Sequence, residues 1–200
     1  MPTVRSKSVC LAELKAANKA KRAPKLRNCN LTSVNLRKAN LRGADLRNAI
    51  LYNANLTRAN LRGAKLAGVA LGGDNSGTLL VRTDLRDIDW SDVGINPNAV
   101  LSHANLTGVD WSGKNLSGVT LDYANLSGAN LTSAQFFRAE LRHANLSDAV
   151  LYGTNFREAL LDYANLTGST DLYCGVDPQQ QPTLTGAMMP DGTTYSGFCP

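Results

Sequence analysis

An apolar residue recurs at every fifth position over most of the chain. The spacing is unbroken from Leu26 to Leu71 and again from Leu101 to Leu166, and four residues between these blocks keep it one position early: Leu80, Leu85, Trp90 and Ile95. A helix has a period of 3.6 and a strand a period of 2, so a chain with a period of five has to turn at each unit. Such internal repetition is typical of a solenoid.

The repeated unit can be written A-N-L-x-x, because the residue two before the apolar centre is usually Ala and the one just before is usually Asn or Asp. We expect the Leu and Ala side chains to point inward and the two residues after Leu to face water. We also expect the Asn or Asp to bond the turn backbone, and both residue types tolerate unusual dihedral angles.

Longer correlations indicate how many units form one coil. His103, Tyr123, His143 and Tyr163 occupy the same place in the unit at intervals of 20, and Phe136 and Phe156 are also 20 apart. Four units per coil follow. The 28 apolar centres then predict about seven coils, which form a rod about 34 Å long at a spacing of about 4.8 Å.

The tandem stretch ANLRGADLRNAILYNANLTRANLRGAKL resembles the pentapeptide-repeat family, whose motif is A(D/N)LXX, and the resemblance covers residues 26–169. It implies an all-β fold, a right-handed quadrilateral parallel β-helix. The family includes cyanobacterial and plastid proteins, a regulator of heterocyst differentiation, and dimeric quinolone-resistance proteins that mimic DNA and bind gyrase. The tail TGAMMPDGTTYSGFCP resembles the ends of cyanobacterial and plastid members.

The chain is predicted to have three parts. Residues 1–25 form a helical cap, in which a helix over 8–23 turns Cys10, Leu14 and Ala17 inward and ends before Pro24. Residues 26–169 form the β-helix, with a loop inserted at 72–77 and a bulge near 96–100. Residues 170–200 form an irregular C-terminal cap.

Charge is distributed unevenly along the chain. Residues 1–66 hold 15 Lys and Arg against two acids, a net charge of +13, whereas the rest holds six against 14 acids, a net charge of −8. If sequence position corresponds to height along a rod, one end is positive and the other negative.

The basic coils supply a candidate interaction surface. Arg42 and Arg62 are equivalent positions one coil apart, and flanking faces carry the other cations: Arg37, Lys38 and Arg58 on one side, Arg27 and Arg47 on the other. Such an array can bind phosphates or an acidic protein, although a solvated charged wall is the alternative interpretation.

The second candidate is an external ladder formed by His103, Tyr123, His143 and Tyr163. The two histidines would lie about 10 Å apart, too far to share a metal ion. No nucleophile, phosphate-loop or dinucleotide motif is present. We therefore expect a protein that is not an enzyme and that has no metal and no cofactor.

The four cysteines leave alternatives open. Cys29 occupies an inward position and is expected to be a buried packing residue, with Cys10 close to it on the cap helix; Cys174 and Cys199 both lie in the C-terminal cap. A disulfide is feasible at either end. A cytosolic location argues against both, and of the two pairs we favour Cys174–Cys199.

The leading functional hypothesis is a non-enzymatic scaffold that presents charged faces to an unidentified protein partner and has a regulatory role in a cyanobacterium. The alternatives are a DNA-mimicking, gyrase-binding protein and a nucleic-acid-binding protein that uses the basic coils. A monomer is favoured over a dimer. No signal peptide or membrane span is evident, which predicts a cytoplasmic protein, or one of the thylakoid lumen or periplasm if a targeting segment has been removed.

Overall fold

Parallel backbone bridges between residues 20 apart organise the chain, as in Asn40↔Asn60 and Asn125↔Asn145. The computed structural model describes residues 3–71, 80–86, 88–90, 93–95, 99–173 and 180–195. It divides into two compact units, Met1–Ala99 (unit 1) and Val100–Pro200 (unit 2). Each unit contains the 20-residue pitch, so four repeats make one coil in both. The prediction of seven stacked coils spans both units and stays a prediction.

Each repeat turns the chain by the same local structure. In the repeat centred on Leu41, the Ala44 N–H donates to the Leu41 carbonyl at 2.9 Å, and Gly43 between them has a φ of +65°. A positive φ at the second central residue is the requirement of a type II turn. Asn40 supports the turn, because its Oδ1 accepts the backbone N–H of Arg42 at 3.3 Å.

The predicted bond of Asn and Asp to the turn backbone is confirmed, but the positive φ of the turn belongs to another residue. The positive φ falls two residues after Leu, where side chains as large as Lys38 and Tyr123 adopt it, at +59° and +61°. The Asn before Leu is held in the bridge between coils instead, as Asn60 is by its N–H bond to the Ala39 carbonyl.

The predicted core is confirmed by the burial of the repeat centres. Leu41, Leu61, Leu106 and Leu126, like nearly every described Leu in the repeats, are at most 1% exposed. The Ala residues two positions earlier are also buried, at 3% or less, except Ala39, which is half-buried. Leu80, Leu85 and Trp90 are buried in the shifted register, whereas Ile95 is only half-buried.

Two short strands lie where the register shifts. β1 (Ala70–Leu71) pairs in parallel with β2 (Gly94–Ile95). The bridge Asn60↔Asp84 spans 24 residues instead of 20 and so accommodates the four-residue insertion. The predicted loop at 72–77 lies outside the described residues, as does most of the predicted bulge at 96–100.

The ladder of unit 2 continues beyond residue 169. Leu161 N–H donates to the Thr183 carbonyl, and Leu166 N–H donates to the Met188 carbonyl, across bridges of 23 residues. An antiparallel bridge between Met188 and Thr194 then folds the chain back.

A single helix, α1 (Lys7–Lys19), precedes the coils in the described part of unit 1. Its buried residues are Cys10, Leu14 and Ala17, as predicted. It ends four residues before the predicted end at 23, because Lys21 adopts a φ of +52° and the N–H of Arg22 closes back on the Ala17 carbonyl. Such a left-handed residue is a common helix terminator.

Cys10 and Cys29 form a disulfide, with their Cα atoms 5.9 Å apart. Cys29 is buried, as expected. The disulfide at this end, which the sequence left open but disfavoured, is present. The pairing depends on α1 lying against the first coil, where Arg5 also joins the ladder through a parallel bridge to Cys29. The predicted pair Cys174–Cys199 lies outside the described residues.

Candidate functional site

A column of three cations runs along one face of unit 1. Lys38, Arg58 and Arg82 are exposed, and each has a φ between +55° and +61°. The coils are joined beneath them, because the Lys38 N–H donates to the Thr57 carbonyl and the Arg58 N–H to the Val81 carbonyl. The three side chains, which we call the first column, therefore leave the wall from equivalent positions about 4.8 Å apart.

A second column stands on the next face and consists of Arg42, Arg62 and Arg86. Gly43 N–H donates to the Arg62 carbonyl at 3.0 Å, and Gly63 N–H donates to the Arg86 carbonyl at 3.1 Å. Arg42 is exposed, and Arg62 and Arg86 are half-buried.

Arg82 and Arg86 were missed as site residues by the sequence reasoning. Each lies 24 residues after its neighbour in the column, because the insertion that precedes Leu80 adds four residues to the coil. The buried centres Leu80 and Leu85 gave the signal that could have found them, since each Arg keeps its place relative to its own Leu.

Arg47, which the sequence also assigned to the surface, is paired within its own turn. Its Nε and Nη2 donate to the two carboxylate oxygens of Asp45 at 2.8 and 2.7 Å. Arg86 makes the same two-point contact with Asp84, at 2.9 Å for both bonds. In each pair the guanidinium lowers the pKa of the carboxyl group.

Arg37 and Arg42 each lie two residues after an Asn, whereas Arg47 and Arg86 each lie two residues after an Asp. Asn35 and Asn40 accept the backbone N–H of these arginines in the same turn, but an amide offers no charge to the guanidinium. Among the described residues, Arg37, Arg42 and the three cations of the first column have no acidic partner within 4 Å. These five side chains add unpaired positive charge to the wall of unit 1, where Arg27 and Lys65 likewise lack an acidic partner within 4 Å among the described residues.

The end of α1 meets the second column at an open cleft of about 370 Å³. Lys21 and Arg22 line it from the helix side, and Asn40, Arg42 and Gly43 line it from the coil. Arg22 holds the Glu13 carboxylate with two bonds of 2.6 and 2.9 Å. These bonds lower the pKa of Glu13 to about 2.

The predicted ring ladder is a continuous stack in unit 2. The ring centroids of His103, Tyr123, His143 and Tyr163 lie 4.8, 4.6 and 5.0 Å apart in succession, and neighbouring ring planes are tilted by 5° to 8°. Gly186 follows Tyr163 in the next coil, and a Cβ there would lie 2.6 Å from the Tyr163 ring. The ring faces cover one another, so the ladder presents its edges, with the phenol and imidazole groups, to solvent.

Charged groups beside the ladder are largely paired. Asp122 accepts the Arg142 backbone N–H at 2.8 Å and lies 3.5 Å from its guanidinium. Asp162 accepts bonds from the Thr183 hydroxyl and the Thr185 N–H. These bonds, with the charge of Arg142, lower the pKa of Asp162 although burial opposes the shift. The ladder therefore lacks the unbalanced charge of the first column.

Comparison with protein families matches the chain to the model described as Pentapeptide repeats, in eight copies over residues 29–68, 99–136 and 134–170. The chain belongs to this family of tandem five-residue repeats, and its fold is the family's right-handed β-helix solenoid. A comparison with curated proteins finds no match.

Several solved structures are similar to the chain. HetL, a pentapeptide repeat protein involved in heterocyst differentiation regulation in the cyanobacterium Nostoc sp. PCC 7120, is 36% identical over 84% of this chain and 70% of HetL, with a TM-score of 0.47. A pentapeptide repeat protein of the Arabidopsis thaliana thylakoid lumen is 31% identical over 46% of this chain and 69% of that one, with a TM-score of 0.20. QnrB1, a plasmid-mediated fluoroquinolone resistance protein, is 17% identical over 70% and 73% of the two chains, with a TM-score of 0.33.

No helix within the described part of the chain has the length and apolar character needed to cross a membrane.

Proposed function

We propose that the chain is a non-enzymatic interaction scaffold whose unit 1 binds an acidic surface of a protein partner. The observation that carries the proposal is the first column, in which three exposed cations are stacked without an acidic partner among the described residues. Two unit charges about 4.8 Å apart repel by about 0.9 kcal/mol even in bulk water. A partner that supplies carboxylates to the column relieves this repulsion and gains the attraction.

The charge of each unit supports this assignment. Unit 1 contains 17 Lys and Arg against seven Asp and Glu, a net charge of +10, whereas unit 2 contains four against nine, a net charge of −5. Positive potential of this size accelerates association with an acidic partner. It also opposes a DNA-mimicking role for unit 1, because a DNA mimic has to present negative charge.

The rigid turn geometry also favours a binding surface. Each cation of the first column is a residue with a positive φ, so the backbone fixes the direction in which its Cα–Cβ bond points. Similarity to HetL, which is involved in the regulation of heterocyst differentiation, supports a regulatory role for the scaffold.

Affinity capture from native lysate, with and without nuclease treatment, tests the proposal. The full chain is compared with the variant Lys38→Asn, Arg58→Asn and Arg82→Asn, in which Asn tolerates the positive φ. The control is Lys7→Gln, Lys15→Gln and Lys19→Gln, which removes the same charge from exposed positions of α1 in the same unit.

We expect the wild type and the α1 control to retain one acidic protein, and the column variant to lose it, with retention that falls as salt rises. Equal retention by all three chains contradicts the proposal. Binding that disappears with nuclease treatment supports nucleic acid instead, and inhibition of gyrase supercoiling supports the DNA mimic.

A further inference from the structure

We infer that the cleft between the end of α1 and the second column is a binding site for a carboxylate side chain of the partner. This inference rests on the proposed function, since the carboxylate comes from the acidic protein that unit 1 binds. It concerns the cleft lined by Lys21, Arg22, Asn40, Arg42 and Gly43.

Two other turns of the chain show what binds an arginine guanidinium when the residue two positions before the arginine is acidic. Asp45 and Asp84 each accept the backbone N–H of their arginine at 3.3 Å and also hold its guanidinium with two bonds. Asn40 makes the same 3.3 Å backbone bond to Arg42. Its amide replaces the carboxylate, so at this turn the guanidinium lacks the anion that fills the equivalent place twice elsewhere in unit 1.

A second cation faces the same space from the other side. Lys21 is exposed, lines the cleft and has no acidic partner within 4 Å among the described residues. The acid of this region, Glu13, is held by Arg22 and by the backbone N–H of Lys25 at 2.8 Å. Arg22 is thus neutralised within the chain, and Lys21 and Arg42 carry the charge that a ligand meets.

The size and openness of the cleft suit an acidic side chain rather than a buried cofactor. Its volume of about 370 Å³ is at the lower end of the range for ligand sites. Gly43 leaves the coil side open, because it contributes no side chain between Arg42 and the helix end. A two-point guanidinium–carboxylate contact supplies direction as well as charge.

The most direct test gives Arg42 a carboxylate from within the chain. Asn40→Asp should pair Arg42 as Asp45 pairs Arg47, and so occupy the site. The matched control is Asn115→Asp, which makes the same change of charge in a turn of the same type. There the residue two positions later is Ser117 instead of Arg. Arg42→Gln removes the exposed guanidinium and serves as a second variant if Asn40→Asp disturbs folding.

The probe is a capped hexaglutamate peptide, titrated into the ¹⁵N-labelled full chain at low salt and followed at the arginine side-chain N–H signals. We expect Asn40→Asp and Arg42→Gln each to weaken binding at least fivefold, and Asn115→Asp to change it less than twofold. Binding of both site variants within twofold of wild type, an equal loss in the control, or no binding to the wild type overturns the inference.

Two further arms separate the possible failures. Acetate and inorganic phosphate are compared as competitors, and stronger competition by phosphate at equal charge concentration overturns the assignment to a carboxylate. If hexaglutamate binding is unchanged in Asn40→Asp but abolished in the first-column variant, the cleft is not the binding site. The proposed function is then still supported. A cleft that binds hexaglutamate, in a chain that captures no acidic protein from lysate, removes the proposed function instead.

Discussion

Removal of the Cys10–Cys29 disulfide should release α1 from the first coil. The bond closes a loop of 20 residues, counted from Cys10 to Cys29, and a loop of this size contributes about 3 kcal/mol by the chain-entropy estimate. Cys10→Ala with Cys29→Ala is the suitable change, because Ala is the usual residue at inward positions and is favourable in a helix. Because little packing is lost, the expected loss of stability is close to the free energy that the closed loop contributes.

The loss should be local to α1. A helix of 13 residues is marginal in isolation, so its order depends on the coil beneath it. Without the disulfide, the buried side chains of Leu14 and Ala17 remain, with the Glu13–Arg22 ion pair and the bond from the Lys25 N–H to Glu13. Exposed ion pairs of this kind contribute about 1 kcal/mol or less. The bridge of Arg5 to residue 29 also remains, before the helix begins.

Native-state hydrogen exchange measures the effect. A loss of about 3 kcal/mol lowers amide protection on the order of 100-fold, and we expect this change for the helical amides, such as the Cys10 N–H bonded to the Ser6 carbonyl. The Ala144 N–H, which bonds to the Leu141 carbonyl in unit 2, is the internal control and should not change. If the amides of α1 keep their protection within threefold, the disulfide does not hold the helix and the reasoning fails.

Three other changes have defined outcomes. The lowered pKa of Glu13, about 2 against an ordinary 4.5, stabilises the fold above pH 4.5, and this contribution is lost as the pH falls towards 2; Glu13→Gln should flatten that part of the acid-denaturation curve. Gly186→Ala should destabilise the chain by about 1–3 kcal/mol beyond Gly128→Ala, because a Cβ collides with the Tyr163 ring in the first case and meets nothing within 4 Å in the second; equal melting temperatures would contradict this. Thr154→Val should cost about 1 kcal/mol in chemical denaturation, because the buried hydroxyl bonds a backbone carbonyl at 2.8 Å, and an unchanged midpoint would show that the bond adds nothing.

The five-residue period predicted the core because burial depends on local spacing. A Leu and an Ala in each repeat are enough to place both side chains inside, whichever coil they belong to. The dihedral role of Asn could not be assigned in this way, because Asn and Asp are favoured both as turn acceptors and at positive φ. The acceptor role occurs at Asn40, and the positive φ occurs at Gly43.

The candidate site was predicted in part, for a similar reason. Arg42 and Arg62 follow from the 20-residue pitch, whereas Arg82 and Arg86 require the register to be followed through an insertion. The ion pair of Arg47 had a local signal, since Asp45–Leu46–Arg47 and Asp84–Leu85–Arg86 share the same spacing. The disulfide and the cleft depend on where α1 lies on the coil, and contacts between distant segments have no period in the sequence.

The central claim, that unit 1 binds acidic protein surfaces through its cations, is tested most directly by chemical-shift mapping with the captured partner. The account predicts that the perturbed side-chain and backbone signals of the ¹⁵N-labelled full chain cluster at the first column and the cleft, around Lys38, Arg58 and Arg42. Perturbations confined to the ring ladder around Tyr123 and His143, with those cations unchanged, would contradict it.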